Sequence, residues 1–373
     1  MNEQSQILAP DLRSERSWVS TWTDHLNPIF LGALLLSTWL PMAFFLLSSK
    51  IDNSIFGFGA MKTVLLFLGT AHVPATIFFY MDRDFSHIIK EHKFRYIYFP
   101  IALTITTGAL FAFAGTMVQA YILLAYWAWQ AFHYGRQNTG IYSFAAIATR
   151  GTPADKQEKI IIDLGTWCGI LGTFKILGMG IAPNYLRAPF DSLYGFGSVA
   201  FVGVVVASIV VYLRHFKRTT PLLTIFYFTL VCFFLPVFLS TNLNVAFFSY
   251  AIAHGVQYIL FMTVVSLNFD PQAVKRWKIA SAAKLFMVIG LVGFLFYRAG
   301  ELKTIEFFTA HATLLRVVDF AIGAILGATM AHFVIDAGAW KLSQSLQRRY
   351  IGKRFGFVFA NRRLEDRVTG LQD

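Results

Sequence analysis

The sequence has little charge for its length and almost no cysteine. Charged residues make up 14% of the 373 residues and hydrophobic residues 56%, whereas a typical soluble domain has about 25% charged residues. No polar stretch is long enough to form a separate soluble domain. The two cysteines, Cys168 and Cys232, lie in separate apolar segments, which excludes a disulfide framework and a thiolate metal motif.

Several familiar metal and nucleotide motifs are also absent. The chain contains no H-E-x-x-H metalloprotease sequence and no nucleotide-binding glycine loop. It lacks the closely spaced histidine boxes of membrane desaturases and hydroxylases, and it has no Glu-x-x-His pair of the kind found in carboxylate-bridged di-iron bundles. A metal site in this chain must therefore draw its ligands from distant parts of the sequence.

The chain does contain a series of apolar runs, each close to the ~20 residues that cross a hydrocarbon core. They predict an all-α, polytopic transmembrane bundle of about ten helices that forms one integral membrane domain over residues 1–373. The predicted spans are 28–49, 61–81, 96–115, 117–138, 158–181, 195–213, 221–240, 243–266, 279–297 and 317–338. A polar segment, residues 1–27, precedes them and does not resemble a cleavable signal, and a basic tail, residues 341–373, follows.

The net charge of +12 is distributed in step with these spans. Basic residues concentrate after the even-numbered spans, for example Lys90, Lys93 and Arg95 after the second, and are sparser after the odd-numbered ones. This alternation follows the positive-inside rule and predicts a multi-pass protein of a bacterial-type inner (plasma) membrane, with both termini in the cytoplasm.

Because the basic residues alternate with apolar runs, no nucleic-acid-binding face is expected. The basic tail is interpreted as an orientation signal rather than a headgroup-binding segment.

Four of the predicted spans contain a histidine, at His72, His133, His254 and His332. These spans run in the same direction, and at 1.5 Å per residue the depths of the histidines agree within roughly 10 Å. Ionisable side chains at membrane depth are costly and usually mark function, and neutral imidazole is the commonest metal ligand. We therefore predict that the four imidazoles converge and bind a metal. The histidines left outside this set are His25, His87, His92, His215 and His311.

Polar residues surround His133. In a helix, Gln130, His133 and Gln137 share one face because they follow an i, i+3, i+7 spacing, and Gln137 is predicted to tune or orient the site. Arg136 either extends to lipid headgroups or binds an anion or the substrate. The aromatic residues near Trp127 either line an apolar substrate path or anchor the helix at the membrane interface.

Two further residues follow a histidine by four positions. Tyr258 comes one turn after His254 and is a candidate to hydrogen-bond a metal-bound oxygen species or the histidine of a neighbouring helix. Asp336 comes one turn after His332. A carboxylate at that spacing is either a ligand, a group that orients another ligating imidazole, or the partner of a basic residue such as Arg136.

Short runs around two of the histidines resemble a known family. Residues 132–135 (FHYG) are similar to a Tyr-His-Phe-Gly-like element, and residues 235–237 (LPV) followed by 253–255 (AHG) are similar to a late histidine motif. Both elements are features of the membrane β-carotene 15,15′-dioxygenases of the Brp/Blh type. The resemblance implies transmembrane helices whose histidines bind a non-haem iron, and a dioxygenase reaction.

These features together predict an integral membrane oxygenase. The hypothesis is that the four histidines bind Fe(II), which a near-neutral ligand set favours, and that Tyr258, Gln137, Asp336 and Arg136 contribute to catalysis. The expected partners are the lipid bilayer, O₂ and a hydrophobic, lipid-dissolved substrate such as a polyene. Copper is an alternative metal. Two other classes stay open: a b-type haem protein with two of the histidines as axial ligands, and a transporter with a proton or anion path.

Overall fold

The structure, a computed structural model, describes residues 12–48, 71–180, 184–240, 249–268, 275–302 and 311–358. These residues form helices joined by turns, and no strand occurs among them, so the all-α prediction is confirmed. The α-helices are α1 (Leu12–Ser48), α2 (Ile77–Met81), α3 (Arg83–Glu91), α4 (Phe99–Phe113), α5 (Thr116–Arg150), α6 (Lys156–Gly180), α7 (Arg187–His215), α8 (Pro221–Val231), α9 (Leu235–Leu239), α10 (Ser249–Leu267), α11 (Lys275–Glu301), α12 (Ala312–Ala339) and α13 (Ser345–Arg354). Parts of the predicted second and eighth spans and of both terminal segments lie outside the described residues: 1–11, 61–70, 243–248 and 359–373.

Six helical segments in the described part of the chain are long and apolar enough to cross a membrane. They are Leu26–Leu47, Phe94–Phe113, Asn184–Arg218, Ser249–Leu267, Lys278–Ala299 and Ala312–Ala339. Large apolar side chains are exposed along them, for example Val199 at 76% and Leu291 at 62%. Apolar surface of this extent is typical of proteins that face lipid. The structure therefore has the helices expected of a membrane protein, and each of the six overlaps a span predicted from the sequence.

Glycine residues allow α4 and α12 to pack closely. Gly323 and Gly327 form a G-x-x-x-G pattern on α12. A Cβ atom at Gly323 would lie 2.6 Å from the carbonyl oxygen of Thr107, and one at Gly327 would lie 2.7 Å from Thr104 Cα. Small residues at such positions let helix backbones approach each other in a membrane. The result is the most extensive helix contact in the described residues, and it fixes the position of the helix that carries His332.

Two predicted spans are interrupted at prolines instead of forming continuous helices. Within 61–81, a turn at His72 and a 3₁₀ turn that includes Pro74 precede α2. Within 221–240, α8 and α9 are separate helices, and Pro236 lies in the first turn of α9. Proline has no N–H to continue the helical hydrogen bonds. The turn at Pro74 is buried, which is the setting in which irregular backbone is tolerated at membrane depth.

Other helices extend beyond their predicted ends. The helix predicted over 117–138 continues as α5 to Arg150, where Gly151 with φ 75° ends it. Two polar residues in this stretch bond neighbouring helices: Arg136 bonds Asp163 on α6, and Gln137 bonds Gln257 on α10. At the other terminus, α1 begins at Leu12, inside the predicted polar segment 1–27.

The first part of the basic tail packs against the bundle. The Arg354 side chain is 3% exposed, and its Nη2 lies 2.7 Å from Asp82 Oδ2 and 3.0 Å from Asp84 Oδ2. The Tyr350 hydroxyl donates to Asp82 Oδ2 at 2.6 Å, and burial raises the pKa of this phenol well above its usual value, so it donates as a neutral group. Arg354 thus has a structural role beyond the orientation signal expected of segment 341–373.

Candidate metal centre

Four buried histidines from four separate segments form one cluster. His72 lies in the turn before α2, His133 on α5, His254 on α10 and His332 on α12. The ring centroid of His72 lies 4.5 Å from that of His254 and 5.1 Å from that of His332. The ring centroid of His133 lies 4.8 Å and 5.4 Å from the same two rings, and these are 6.2 Å from each other. The imidazoles that the sequence analysis singled out therefore lie together, while their assignment as metal ligands stays a prediction.

Small residues next to the histidines make this convergence possible. Ala71, Ala253 and Ala331 each directly precede a histidine of the cluster, and each is less than 5% exposed. Gly135 follows His133 by two positions, and a Cβ atom there would overlap the side chain of Thr166 on α6. Small side chains of this kind permit close approach of helix backbones, so the imidazoles are the large groups left to fill the space between the helices.

His133, His254 and His332 each have at least one ring nitrogen without a hydrogen-bond partner in the described part of the chain. Among the described residues, no hydrogen-bond partner is found for Nε2 of His133, for Nε2 of His332 or for either ring nitrogen of His254. Two sets of potential ligands result: His72, His254 and His332, and His133, His332 and Asp336. Within each set the ligand atoms lie within 4.8 Å of one another. This spread is close to the ~4.2 Å that separates two nitrogens on opposite sides of one ion with metal–nitrogen bonds of about 2.1 Å.

A chain of hydrogen bonds fixes one side of the cluster. Thr76 Oγ1 bonds Nδ1 of His332 and lies 3.0 Å from the hydroxyl of Tyr258, which donates to Asp336 Oδ1 at 2.8 Å. The other oxygen, Asp336 Oδ2, lies 3.5 Å from His332 Nε2 and 3.8 Å from His133 Nε2. With Asp336 ionised, the donors run in one direction, from His332 Nδ1–H through Thr76 and Tyr258 to the carboxylate. His332 belongs to both ligand sets, so the two sets adjoin at this imidazole. Its Nδ1 bonds Thr76, which leaves Nε2 as its nitrogen without a hydrogen-bond partner.

The surroundings of Asp336 leave a charge to be balanced. Its side chain is 4% exposed, and its ion-pair partners among the described residues are the imidazoles of His133 and His332. The alternative expectation of an ion pair with Arg136 is wrong, because Arg136 Nη1 lies 2.9 Å from Asp163 Oδ2 and its side chain is 56% exposed. A buried carboxylate needs a cation or a proton, and a bound metal ion would supply the cation.

Gln137 contacts the cluster through the backbone of α10. Its Nε2 donates to the His254 carbonyl oxygen at 3.4 Å and to Gln257 Oε1 at 2.8 Å. The Gln257 amide in turn donates to Thr38 Oγ1 at 2.9 Å. This chain joins α5, α10 and α1 and holds His254 in place, which agrees with an orienting role for Gln137. Gln130 instead bonds within its own helix.

Aromatic residues cover the cluster on the side of α5. Phe333 stacks on His133 with ring centroids 4.4 Å apart, and Trp129 and Tyr126 pack against Phe333 at 6.0 Å and 6.5 Å. Trp127 lies in a separate apolar cluster. Phe333 carries no signal in the sequence beyond its place next to a histidine, because its contact with His133 depends on how α5 and α12 pack.

A cavity of about 290 Å³ reaches the cluster from another side. It lies between α2, α4, α11 and α12, and it is lined by Val73, Pro74, Thr76, Ile77, Tyr80, Pro100, Ile101, Thr104, Ile105, Phe296, Ala328, Ala331, His332 and Ile335. No residue of α5 lines this cavity, so the expectation that aromatic residues near Trp127 line a substrate path stays a prediction.

The remaining described histidines do not join the cluster. His87 and His311 are exposed, His92 packs near Tyr96, and His215 lies near Asp155. The side chain of His25 lies outside the described residues.

Comparison of the chain with protein-family models, with curated proteins and with solved structures found no match.

Proposed function

We propose that this protein is an integral membrane oxygenase that binds Fe(II) in the histidine cluster and acts with O₂ on a hydrophobic, lipid-dissolved substrate. The observation that carries this proposal is the convergence of four imidazoles and Asp336 in one buried site, with ring nitrogens facing each other. A buried polar group without a partner costs about 1–3 kcal/mol. A bundle held together by packing alone would fill the same space with apolar side chains at lower cost.

The ligand set suits a first-row transition metal. Neutral imidazole binds iron, copper and zinc. Four neutral imidazoles and one carboxylate together carry a charge of −1, which offsets part of the charge of a divalent ion. Tyr258 engages one oxygen of Asp336 and leaves the other facing the Nε2 atoms, so the carboxylate is available as a ligand.

The spacing of the rings favours a single ion over haem. An axial pair of histidines in a b-type haem must leave room for the porphyrin between the two imidazoles. In this cluster the ring centroids of His254 and His332 are 6.2 Å apart, but the rings of His72 and His133 each lie within 5.4 Å of both and take up space that a porphyrin between them would need. The transporter alternative loses support as well, because Arg136 pairs with Asp163 at the surface instead of lying next to Asp336.

Each part of the site has a role in this proposal. Bound iron would supply the binding and activation of O₂. Thr76 and Tyr258 orient His332 and Asp336, Gln137 holds the backbone of His254, and Phe333 excludes water from one side. A dioxygenase adds both atoms of O₂ across a carbon–carbon double bond and releases two carbonyl products, so no external reductant is needed. The resemblance to the Brp/Blh type favours this reaction on a polyene.

The proposed topology is ten membrane spans in one domain, with both termini in the cytoplasm of a bacterial-type inner membrane. Six spans correspond to the apolar helices of the structure. Two more correspond to α5 and α6, which have 35 and 25 residues and exceed the ~20 needed to cross. The last two contain the interrupted segments at His72 and between α8 and α9. The alternation of basic residues supports the cytoplasmic termini.

Metal analysis of histidine variants tests the proposed function. The full-length protein is purified in detergent, and its iron, copper and zinc are measured by mass spectrometry together with O₂ uptake in the presence of a polyene. We expect about one iron per chain, and we expect its loss in His254→Ala and His332→Ala. The matched controls are His87→Ala and Arg136→Gln, which lie outside the cluster and should keep the iron.

Each other result has a distinct meaning. Stoichiometric iron that survives the cluster variants would refute the assignment of the ligands. A Soret band in the purified protein would establish haem in place of a bare ion. Stoichiometric copper or zinc would support the assignment of the metal ligands but would identify a metal other than iron.

A further inference from the structure

The cavity that reaches the histidine cluster opens at the apolar surface of the bundle. Large residues of its lining are exposed at this opening: Ile77, Tyr80, Ile101 and Ile105 are 38–55% exposed. Ile101 and Ile105 belong to Phe94–Phe113, one of the helices apolar enough to cross a membrane. The opening therefore faces the hydrocarbon region of a bilayer rather than water.

The walls of the cavity offer little to a polar ligand. No charged side chain is among the lining residues. Two of the hydroxyl groups there are already engaged, because Thr76 bonds His332 and Tyr80 donates to the carbonyl oxygen of Tyr96. A charged or strongly hydrogen-bonding ligand would lose its water and gain few partners. An apolar ligand meets no such cost.

Small residues create the space, and its size limits the ligand. Ala328 and Ala331 on α12 line the cavity together with Pro74, and Thr76 and His332 are deeply buried members of the lining, at 4% and 1% exposed. The volume of about 290 Å³ is at the lower end of the ~300–1,000 Å³ found for ligand pockets. The cavity can therefore enclose only a short part of a long molecule.

We infer that this cavity binds the apolar end of a lipid-dissolved hydrocarbon chain that enters sideways from the bilayer. The bound end lies next to His332, and the rest of the molecule stays in the lipid. Ala328 sets how far the chain can enter and so acts as a specificity-determining residue. The identification of this chain as the substrate rests on the proposed function, whereas its binding does not require iron.

A photoaffinity experiment tests the inference. The full-length protein is placed in phosphatidylcholine nanodiscs and irradiated with a decane chain that carries a terminal diazirine. We expect labels on peptides that contain Ile101–Ile105 or Ala328–Ile335, competition by n-decane, and much weaker competition by ionised decanoate. Ala328→Phe should reduce this labelling about tenfold, the factor expected when roughly two methylene groups are displaced from an apolar site. Val317→Phe, at a 59% exposed position of the same helix outside the lining, should leave it unchanged.

A second variant and a measurement of bound metal distinguish failure of the cavity inference from failure of the oxygenase proposal. Ile101→Trp narrows the opening from its exposed side and should also reduce labelling, even if Ala328→Phe disturbs the packing of α12. Labelling that is equal in both variants and the unaltered protein, or decanoate that competes as well as decane, would overturn the inference. Iron is measured in the same samples. If the protein contains no iron but the probe still labels the cavity, the inference about the cavity is supported and the oxygenase proposal fails. If the protein contains iron but the probe does not label the cavity, the oxygenase proposal stands and the inference about the cavity fails.

Discussion

Replacing Thr76 by valine tests the architecture of the cluster most directly. Thr76 Oγ1 shares a hydrogen bond with His332 Nδ1 and lies 3.0 Å from the Tyr258 hydroxyl. Valine has nearly the same volume but no hydroxyl, so the change removes these contacts with little change in shape. Thr76 is 4% exposed and His332 is 1% exposed, so water cannot replace the lost partner.

The size of the effect follows from the role of Nδ1. A buried nitrogen that loses its partner costs about 1–3 kcal/mol. Removal of a group that orients a metal-binding imidazole weakens metal binding about 10–100-fold, which corresponds to roughly 1.4–2.7 kcal/mol. We therefore expect Thr76→Val to retain its fold and to lose metal at a 10–100-fold lower chelator concentration than the unaltered protein.

The assay is a chelator titration of the purified protein, with the bound metal measured by mass spectrometry. Thr76→Ser keeps the hydroxyl and should bind metal nearly as tightly as the unaltered protein. Thr263→Val is the matched control, because the Thr263 hydroxyl bonds only a carbonyl of its own helix, that of Ile259. The reasoning would be refuted by unchanged metal affinity in Thr76→Val, or by a serine variant as weak as the valine variant.

Three more predictions concern the carboxylate and the packing. Asp336→Asn keeps an acceptor for its tyrosine partner but loses the negative charge, so metal affinity should fall about 10–100-fold in the same titration; unchanged affinity would exclude the carboxylate from the site. Gly327→Leu should lower the free energy of unfolding by about 1–3 kcal/mol through overpacking of α4 against α12, measured by fluorescence during thermal unfolding in detergent, and an unchanged midpoint would contradict the close helix contact. Arg354→Gln leaves Asp82 without its buried cation and should cost about 3 kcal/mol; a loss below ~1 kcal/mol in denaturant unfolding would show that the pair behaves as an exposed one.

The helices could be predicted from the sequence because hydropathy is a local property. Apolar runs of about 20 residues are visible without any tertiary information, and each of the six apolar helices overlaps such a run. The convergence of the histidines could be predicted for a related reason, since a polar side chain at membrane depth needs partners and histidines on other spans can provide them. The length of α5 was not predicted, because it depends on contacts with neighbouring helices.

Contacts between distant residues explain what the sequence analysis missed around the site. Thr76 follows His72 by four positions, so a continuous helix would place the two side chains on one face, but the turn at Pro74 directs the Thr76 hydroxyl to His332 instead. Arg136 lies close to His133 in sequence, yet it pairs with Asp163 on the next helix. In both cases the hydrogen-bond or ion-pair partner depends on the direction in which the side chain points. The spacing of residues along one helix does not predict that direction.

The amino-acid sequence by itself determined that this chain is helical and apolar enough for a membrane, and which residues were available to form a polar site inside it. These properties follow from composition and from the length of each run, because helix formation and the burial of apolar surface act over neighbouring residues. Only the tertiary structure decided that His332 turns Nε2 toward the cluster, that Asp336 Oδ2 also lies 3.8 Å from His133 Nε2, and that a cavity reaches the cluster from the apolar surface. Those features depend on distances of a few ångströms between atoms hundreds of residues apart in the chain, and only the packing of the helices sets such distances.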